Sequence, residues 1–274
     1  MKRNPPYPPF AKGGKKDTPF PARKRFGQHF LHDPGVIDRI VRAIDPKPGE
    51  PLVEIGPGLG ALTLPLLDRA HSLTVIEIDR DVIPLLQRAC GHAPGLTVIQ
   101  ADALTVDFAE LQAGGAKLRL AGNLPYNIST PLLFHVLEFA GAIRDMHFML
   151  QKEVVRRMAA QPDTEDYGRL TVTLAARAEA EELFTVGPGA FKPPPRVDSA
   201  VVRVTPRPAP FPIHDLAKFD QVVKLAFGQR RKTLANALRG TAGPEAFAAA
   251  GIDPRARGET LSAAEFARLA NGLV

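Results

Sequence analysis

The run Asn123-Leu124-Pro125-Tyr126 carries the residue types best suited in this chain to holding an aromatic amine. An Asn side-chain oxygen and the Leu124 carbonyl can both accept hydrogen bonds from an exocyclic NH2 group. Pro125 stiffens the turn and Tyr126 offers a stacking face, so the four residues outline a nucleobase clamp. The competing reading is an ordinary strand-to-helix turn, with Asn and Pro as loop punctuation and Tyr126 as half-buried packing.

Three further groups belong with this turn. Glu54-Ile55-Gly56-Pro57-Gly58-Leu59-Gly60 has glycines at alternate positions after an apolar run, where a backbone must turn tightly and approach a ligand closely. The spacing differs from the dinucleotide fingerprint, which places two residues before its third glycine. Glu77 stands 21 residues beyond Gly56, where an acidic side chain can accept both hydroxyls of a ribose; a solvated loop carboxylate is the alternative. Asp102 follows a third apolar run and can accept from an adenine amino group, cap a helix, or do both. Together they describe a site for an adenosine-bearing cofactor without phosphate-binding cations, which disfavours NAD and ATP and favours S-adenosylmethionine.

The elements that must position these residues alternate. Strand-like runs at 52–55, 73–78, 96–101, 118–122 and about 146–150 are separated by helical patterns, which predicts a parallel sheet flanked by helices. Runs at 183–186 and 200–204 read as two more strands, antiparallel neighbours that close the sheet. A first helix is expected from the Asp33 cap and Pro34, with Val36, Ile37, Ile40, Val41 and Ile44 on its apolar face. The helix after the Asn-Leu-Pro-Tyr turn should be capped by Ser129 or Thr130 and start at Pro131. Gly56, Glu77, Asp102 and Asn123 then fall at four strand ends along one crevice, where open α/β sheets bind ligands. Residues 1–22 read as a disordered basic tail, 23–205 as the catalytic domain and 206–274 as a small all-helical domain after a proline-rich linker. Ser262 with Glu265 predicts a capping box for a last helix.

Composition narrows the function classes. The 274 residues are 45% hydrophobic, as in an ordinary globular protein, and the formal charge of +6 suggests an anionic partner. Nucleic acid ranks ahead of a membrane because no long apolar helix occurs. Cys90 is the sole cysteine, which excludes an intrachain disulfide and a cysteine-based zinc site. The histidines lack metal-ligand spacing, so no metal is expected. The N-terminus has charge but no apolar core of a signal peptide, so a cytoplasmic location is expected.

Eight segments in order carry a resemblance: 27–31 (Gly-Gln-His-Phe-Leu), 54–60, 75–79, 123–130, 151–154, 167–170, 191–202 and 227–238. Between about Arg23 and Leu238 the chain resembles the bacterial small-subunit (16S) rRNA adenine N6-dimethyltransferases, the dimethyladenosine transferases. The resemblance implies a class I S-adenosylmethionine-dependent methyltransferase fold, Rossmann-like with a mostly parallel seven-stranded sheet. It also implies S-adenosylmethionine as methyl donor and dimethylation of two adjacent adenosines in the 3′-terminal hairpin of small-subunit rRNA, free or in the assembling subunit.

Carried onto matching positions, cofactor contacts fall on His29, Leu31, Gly56, Gly58, Glu77, Asp102 and Asn123. Catalytic positions fall on Asn123, Leu124, Pro125 and Tyr126. His29 stands where the family usually has Asn, and an imidazole can donate, accept or titrate near neutral pH. Phe191, on the proline-stiffened segment Phe191-Lys192-Pro193-Pro194-Pro195, could hold the second face of a flipped base or serve as core. Lys224, Arg230, Arg231 and Lys232, with Arg239 nearby, could contact RNA phosphates or form a solvated face. Nothing demands a dimer, and a monomer is expected.

Two other readings stay open. One is a large-subunit rRNA methyltransferase of the macrolide-resistance type, which would share the Asn-Leu-Pro-Tyr clamp. The other is a non-catalytic RNA-binding assembly factor on the same fold. The segments Val197-Asp198-Ser199-Ala200-Val201-Val202 and Gln229-Arg230-Arg231-Lys232-Thr233 favour the small-subunit group, and the intact cofactor and clamp residues argue for catalysis.

Overall fold

The computed structural model describes residues 29–112, 114–229 and 231–273, so the expected tail and Arg230 lie outside the described residues. The first half alternates as expected: β1 Phe30–Leu31, α1 Pro34–Ile44, β2 Leu52–Ile55, α2 Thr63–Ala70, β3 Leu73–Glu77, α3 Ile83–Ala89, β4 Leu96–Gln100 and β5 Leu118–Asn123. There follow α4 Ser129–Glu138, β6 Ile143–Gln151, α5 Lys152–Met158, α6 Arg169–Ala175, β7 Ala178–Val186, β8 Phe191–Lys192 and β9 Ser199–Pro206. The chain then turns helical in α7 Leu216–Gly228, α8 Leu234–Ala237, α9 Pro244–Ala250 and α10 Ala263–Asn271.

Seven strands form one sheet in the order β4-β3-β2-β5-β6-β9-β7, with β9 antiparallel to both β6 and β7 and the remaining pairs parallel. Strands buried on both faces are near-continuously apolar, as β2 and β5 are. One face packs Leu120, Met146 and Phe148 against Leu132 and Val136 of α4 and Leu170 of α6. The other packs Leu52, Val75 and Met149 against Ile40 and Ile44 of α1 and Leu66 of α2. A third cluster joins Phe219, Val222, Phe247 and Phe266 of the C-terminal helices to Tyr167, Val172 and Ala176. The helical part thus shares its core with α6 instead of standing apart after the proline-rich stretch.

Local signals explain several boundaries. Asp33 accepts a hydrogen bond from the Val36 amide at 2.9 Å and Pro34 occupies the first helical position, so α1 begins as expected. Burial of Ile40, Val41 and Ile44, each at 2% exposure or less, contributes about 1.5–3 kcal/mol per side chain to holding it on the sheet. Ser262 and Glu265 form the expected reciprocal cap of α10.

Several boundaries differ, two of them for a clear reason. Ser129 is the first residue of α4 and not its cap; its hydroxyl donates back to the Tyr126 carbonyl at 3.0 Å, tying the helix to the preceding turn. β7 starts five residues before the expected Leu183, because Ala178-Glu179-Ala180-Glu181-Glu182 has weak strand propensity but pairs with β9.

Both ends of β5 are held. At its start the buried Arg119 guanidinium meets Glu50 at 2.7 Å, Asp145 at 3.0 Å and the Ile44 carbonyl at 2.6 Å. Near its end, Gly122 lies so close to β2 that a Cβ there would sit 2.5 Å from the Ile55 carbonyl oxygen. Only glycine lets β5 deliver Asn123 beside the glycine turn that follows β2.

Candidate active site

The carboxyl ends of β2, β3, β4 and β5 open into one crevice, and it gathers the cofactor and Asn-Leu-Pro-Tyr residues singled out from the sequence. His29, Leu31, Gly56, Gly58, Glu77 and Asp102 line it, and Asn123 through Tyr126 complete the wall. Phe30 and Glu54, quoted above only as parts of motifs, line it as well.

The glycine turn is built for close backbone approach. Gly56 and Gly58 have φ of 67° and 54°, a region that side chains with a Cβ seldom adopt. A Cβ on Gly58 would also stand 3.3 Å from the Phe30 ring, which lies over the turn. Glu77 ends β3 at 6% exposure, with Oε2 accepting from the Gly58 amide at 3.3 Å and Oε1 from the Asp79 amide at 2.9 Å. Burial pushes its pKa up, while those backbone donors pull it back. A carboxylate fixed this way retains lone pairs for two further donors. Asp102 spends Oδ1 on the Leu104 amide at 3.0 Å, so it caps its own turn while still lining the crevice.

Asn123 is oriented from outside its own strand. Its Nδ2 donates to the His29 carbonyl at 3.0 Å, which leaves Oδ1 as the acceptor end of the amide. Leu124 donates its amide to Met149 at 3.2 Å and buries its side chain in the core, so its part in the wall is played by its backbone. Tyr126 is half-buried, and its hydroxyl lies 2.7 Å from Ser199 Oγ. Burial raises the phenol pKa, with the Ser199 hydrogen bond acting the other way, so the ring is neutral at physiological pH. The His29 ring stacks on Tyr126 at 5.5 Å and 30°, and its Nδ1 lies 2.9 Å from the Pro193 carbonyl, so Nδ1–H is the donor. His29 therefore links the clamp to the proline-rich segment.

Phe191 does not offer a second stacking face. It is 2% exposed, pairs across from Leu31 in the two-stranded β1–β8 ribbon and packs in the core with Val186 and Val201. The apolar core beneath the ribbon takes the ring, and of the two roles considered for Phe191, core packing is the one realised. Lys224, Arg231 and Lys232 are exposed around the end of α7 and do not line the crevice.

Two residues were missed. Ser199, fully buried at the start of β9, fixes Tyr126 from 73 positions away; its only sequence signal is its place in Val197-Asp198-Ser199-Ala200. Glu54 is the other, buried at 1% exposure with Thr63 Oγ1 donating to it at 2.6 Å. Burial pushes its pKa up to about 8, against the Thr63 hydrogen bond and with Glu77 adding to the rise. A carboxyl whose folded pKa lies above its unfolded value gives full stability below the ordinary value of 4.5 and loses it as pH rises toward 8. Glu54→Gln has no proton to lose. Without ligand, its thermal midpoint is expected to gain on the wild type steadily from pH 5 to pH 8; a constant difference across that range would refute the assignment.

Among the described residues no group of three or more His, Cys, Asp or Glu is placed to hold a metal, and no helix is long and apolar enough to cross a membrane.

The sequence profile of the ribosomal RNA adenine dimethylase family matches residues 20–273. Ribosomal RNA small subunit methyltransferase A of Xanthomonas campestris pv. campestris (strain 8004) is 58% identical over 252 residues, 92% of this chain and 96% of the relative. Among solved structures, a dimethyladenosine transferase from Plasmodium falciparum is similar with a TM-score of 0.72 at 24% identity, covering 88% of this chain and 96% of that one. The 23S rRNA methyltransferase ErmE is similar with a TM-score of 0.64 at 30% identity, covering 89% and 99%. With a profile spanning nearly the whole chain and a relative this similar over nearly its full length, the chain belongs to the ribosomal RNA adenine dimethylase family.

Proposed function

We propose that this protein transfers methyl groups from S-adenosylmethionine to the N6 amines of two adjacent adenosines in the 3′-terminal hairpin of small-subunit rRNA. The observation that carries the proposal is Asn123: its Nδ2 is spent on the His29 carbonyl, so Oδ1 is the acceptor, beside Tyr126 and in the crevice that holds Gly56, Glu77 and Asp102. Identity of 58% to a small-subunit methyltransferase, against 30% to a 23S enzyme, supports the small subunit over the large.

The crevice fits an adenosine-bearing donor. Gly56 and Gly58 would admit it without a Cβ in the way, Glu77 would accept from ribose hydroxyls, Asp102 would accept from the adenine amine, and His29 and Leu31 would border it. When bound, the donor supplies an electrophilic methyl carbon on a good leaving group. The chain's residues position the acceptor. The target amine is a weak nucleophile because its lone pair is delocalised into the ring; in the first transfer Asn123 Oδ1 and the Leu124 carbonyl accept its two hydrogens and aim it, and in the second one of them accepts the single hydrogen left.

Orientation of this kind can supply roughly 7–11 kcal/mol, so no strong general base is needed and the proton leaves to solvent. Tyr126 holds one face of the flipped base, with its hydroxyl anchored by Ser199. Pro125 keeps the turn rigid. Lys224, Arg231 and Lys232, with Arg230, contact RNA phosphates. Residues 206–274 form the RNA-facing helical part, and the protein acts as a monomer in the cytoplasm, where subunits assemble.

The test incubates the protein with labelled S-adenosylmethionine and, separately, small subunits, large subunits and naked rRNA. Label is expected at adenosine N6 in small-subunit RNA. Label in large-subunit RNA alone would overturn the assignment, and no label in any substrate would favour a non-catalytic assembly factor.

A further inference from the structure

Residues 193–199 are tied to the clamp at both ends. The Pro193 carbonyl accepts from His29 Nδ1 at 2.9 Å, and Ser199 Oγ lies 2.7 Å from the Tyr126 hydroxyl. The strap between these anchors is stiff. Pro193, Pro194 and Pro195 open it, Pro195 is buried, and the Asp198 carbonyl accepts from the Lys152 amide at 3.0 Å where α5 begins. Arg196 is three residues from either anchor, so its backbone lies no more than about 11 Å from each. Lys192 directly precedes the first anchor and pairs across from Phe30, which lies over the glycine turn.

The charges of Lys192 and Arg196 are uncommitted. Both residues are exposed, and neither lines the crevice. Arginines elsewhere meet carboxylates: Arg119 pairs with Glu50 and Asp145, Arg144 with Glu50, Arg177 with Asp220 and Arg203 with Glu181. Among the described residues, neither Lys192 nor Arg196 makes an ion pair or a side-chain hydrogen bond. Asp198 is the one acid between 192 and 199, so the strap is cationic on balance. Two free cations therefore stand beside the target site and outside the cofactor site.

We propose that Lys192 and Arg196 hold the RNA phosphates on either side of the adenosine that stacks on Tyr126. This rests on rRNA being the substrate. A base leaves its stack by rotating about its own backbone, so the flanking phosphates come to the mouth of the clamp wherever the rest of the RNA lies. Phosphate contacts fix register and carry no sequence information. The strap thus sets which nucleotide presents its base, and the Asn-Leu-Pro-Tyr turn chooses adenine. Because the strap is bonded to His29 and Tyr126, a phosphate held on it keeps a fixed position relative to the stacking face.

The test uses two full-length double variants, Lys192→Gln with Arg196→Gln and Lys192→Arg with Arg196→Lys. The RNA is a 3′-terminal small-subunit hairpin, made with ordinary linkages or with neutral methylphosphonates on both sides of one target adenosine. S-adenosylmethionine affinity checks folding. On the ordinary hairpin the Gln variant is expected to bind roughly 5- to 30-fold more weakly near 0.1 M salt, with a log–log salt slope shallower by about 1 to 2. KM for RNA should rise by a similar factor while kcat stays within about 3-fold, because the contact is made equally before and during transfer. The charge-keeping variant should bind within about 3-fold of the wild type. Methylphosphonates should weaken wild-type binding by as much as the Gln substitutions do, yet weaken the Gln variant by no more than about 2-fold. Equal methylphosphonate losses in the two proteins would overturn the proposal, as would unchanged affinity of the Gln variant for the ordinary hairpin. If the wild type labels no rRNA, the substrate reading fails. If it labels small-subunit RNA and the variants show no coupling to the flanking phosphates, the strap alone fails.

Discussion

Asn123→Ala is expected to lower kcat at saturating RNA and S-adenosylmethionine by at least about 100-fold, the scale of loss when a reacting group is misplaced by an ångström. The substitution removes Oδ1, the proposed acceptor for the amine, and also the Nδ2 bond to the His29 carbonyl at 3.0 Å. Cofactor affinity should fall far less, by about 5-fold, because one hydrogen bond contributes roughly 1 kcal/mol net. Stopped-time methylation with a small-subunit rRNA fragment, alongside equilibrium binding of the cofactor, separates the two. A loss confined to cofactor affinity, with kcat intact, would show that Asn123 serves the donor and not the acceptor.

Tyr126→Ala is the second large effect. A base-stacking ring contributes about 1–3 kcal/mol, so kcat/KM for RNA should fall roughly 5- to 150-fold while cofactor binding holds. The structure adds a sharper control. Tyr126→Phe keeps the face and loses only the 2.7 Å bond to Ser199, so it should retain most of the activity. Equal losses in the Ala and Phe variants would place the role of Tyr126 in the hydroxyl and remove the stacking argument. With Phe191 buried at 2% exposure, no aromatic ring from β8 can compensate for the missing face.

Much of the scaffold was legible because its signals are local. Each apolar run of the sheet, the Asp33-Pro34 start of α1 and the Ser262–Glu265 box depend on residues a few positions apart. The places where local reading failed share one cause. The Ala-Glu repeat that opens β7 is poor strand sequence, yet β9 supplies a partner edge that outweighs propensity. Ser129 has the type of a helix cap, but the Tyr126 carbonyl is within its reach and claims its hydroxyl. Phe191 had two credible roles, and the choice turned on whether Leu31 would lie across from it.

By itself the sequence determined which chemistry is possible: alternate glycines for close approach, carboxylates at successive strand ends, an acceptor amide beside an aromatic ring, and a net positive charge. These are properties of residue type and short spacing. Only the tertiary structure decided how the site is set. Asn123 is aimed by a carbonyl 94 residues away, Tyr126 is anchored by a hydroxyl 73 residues away, and Glu54 has its pKa raised by burial. Hydrogen-bond partners and desolvation depend on which distant segments pack together, and that follows from closing the whole sheet and its helices around one core.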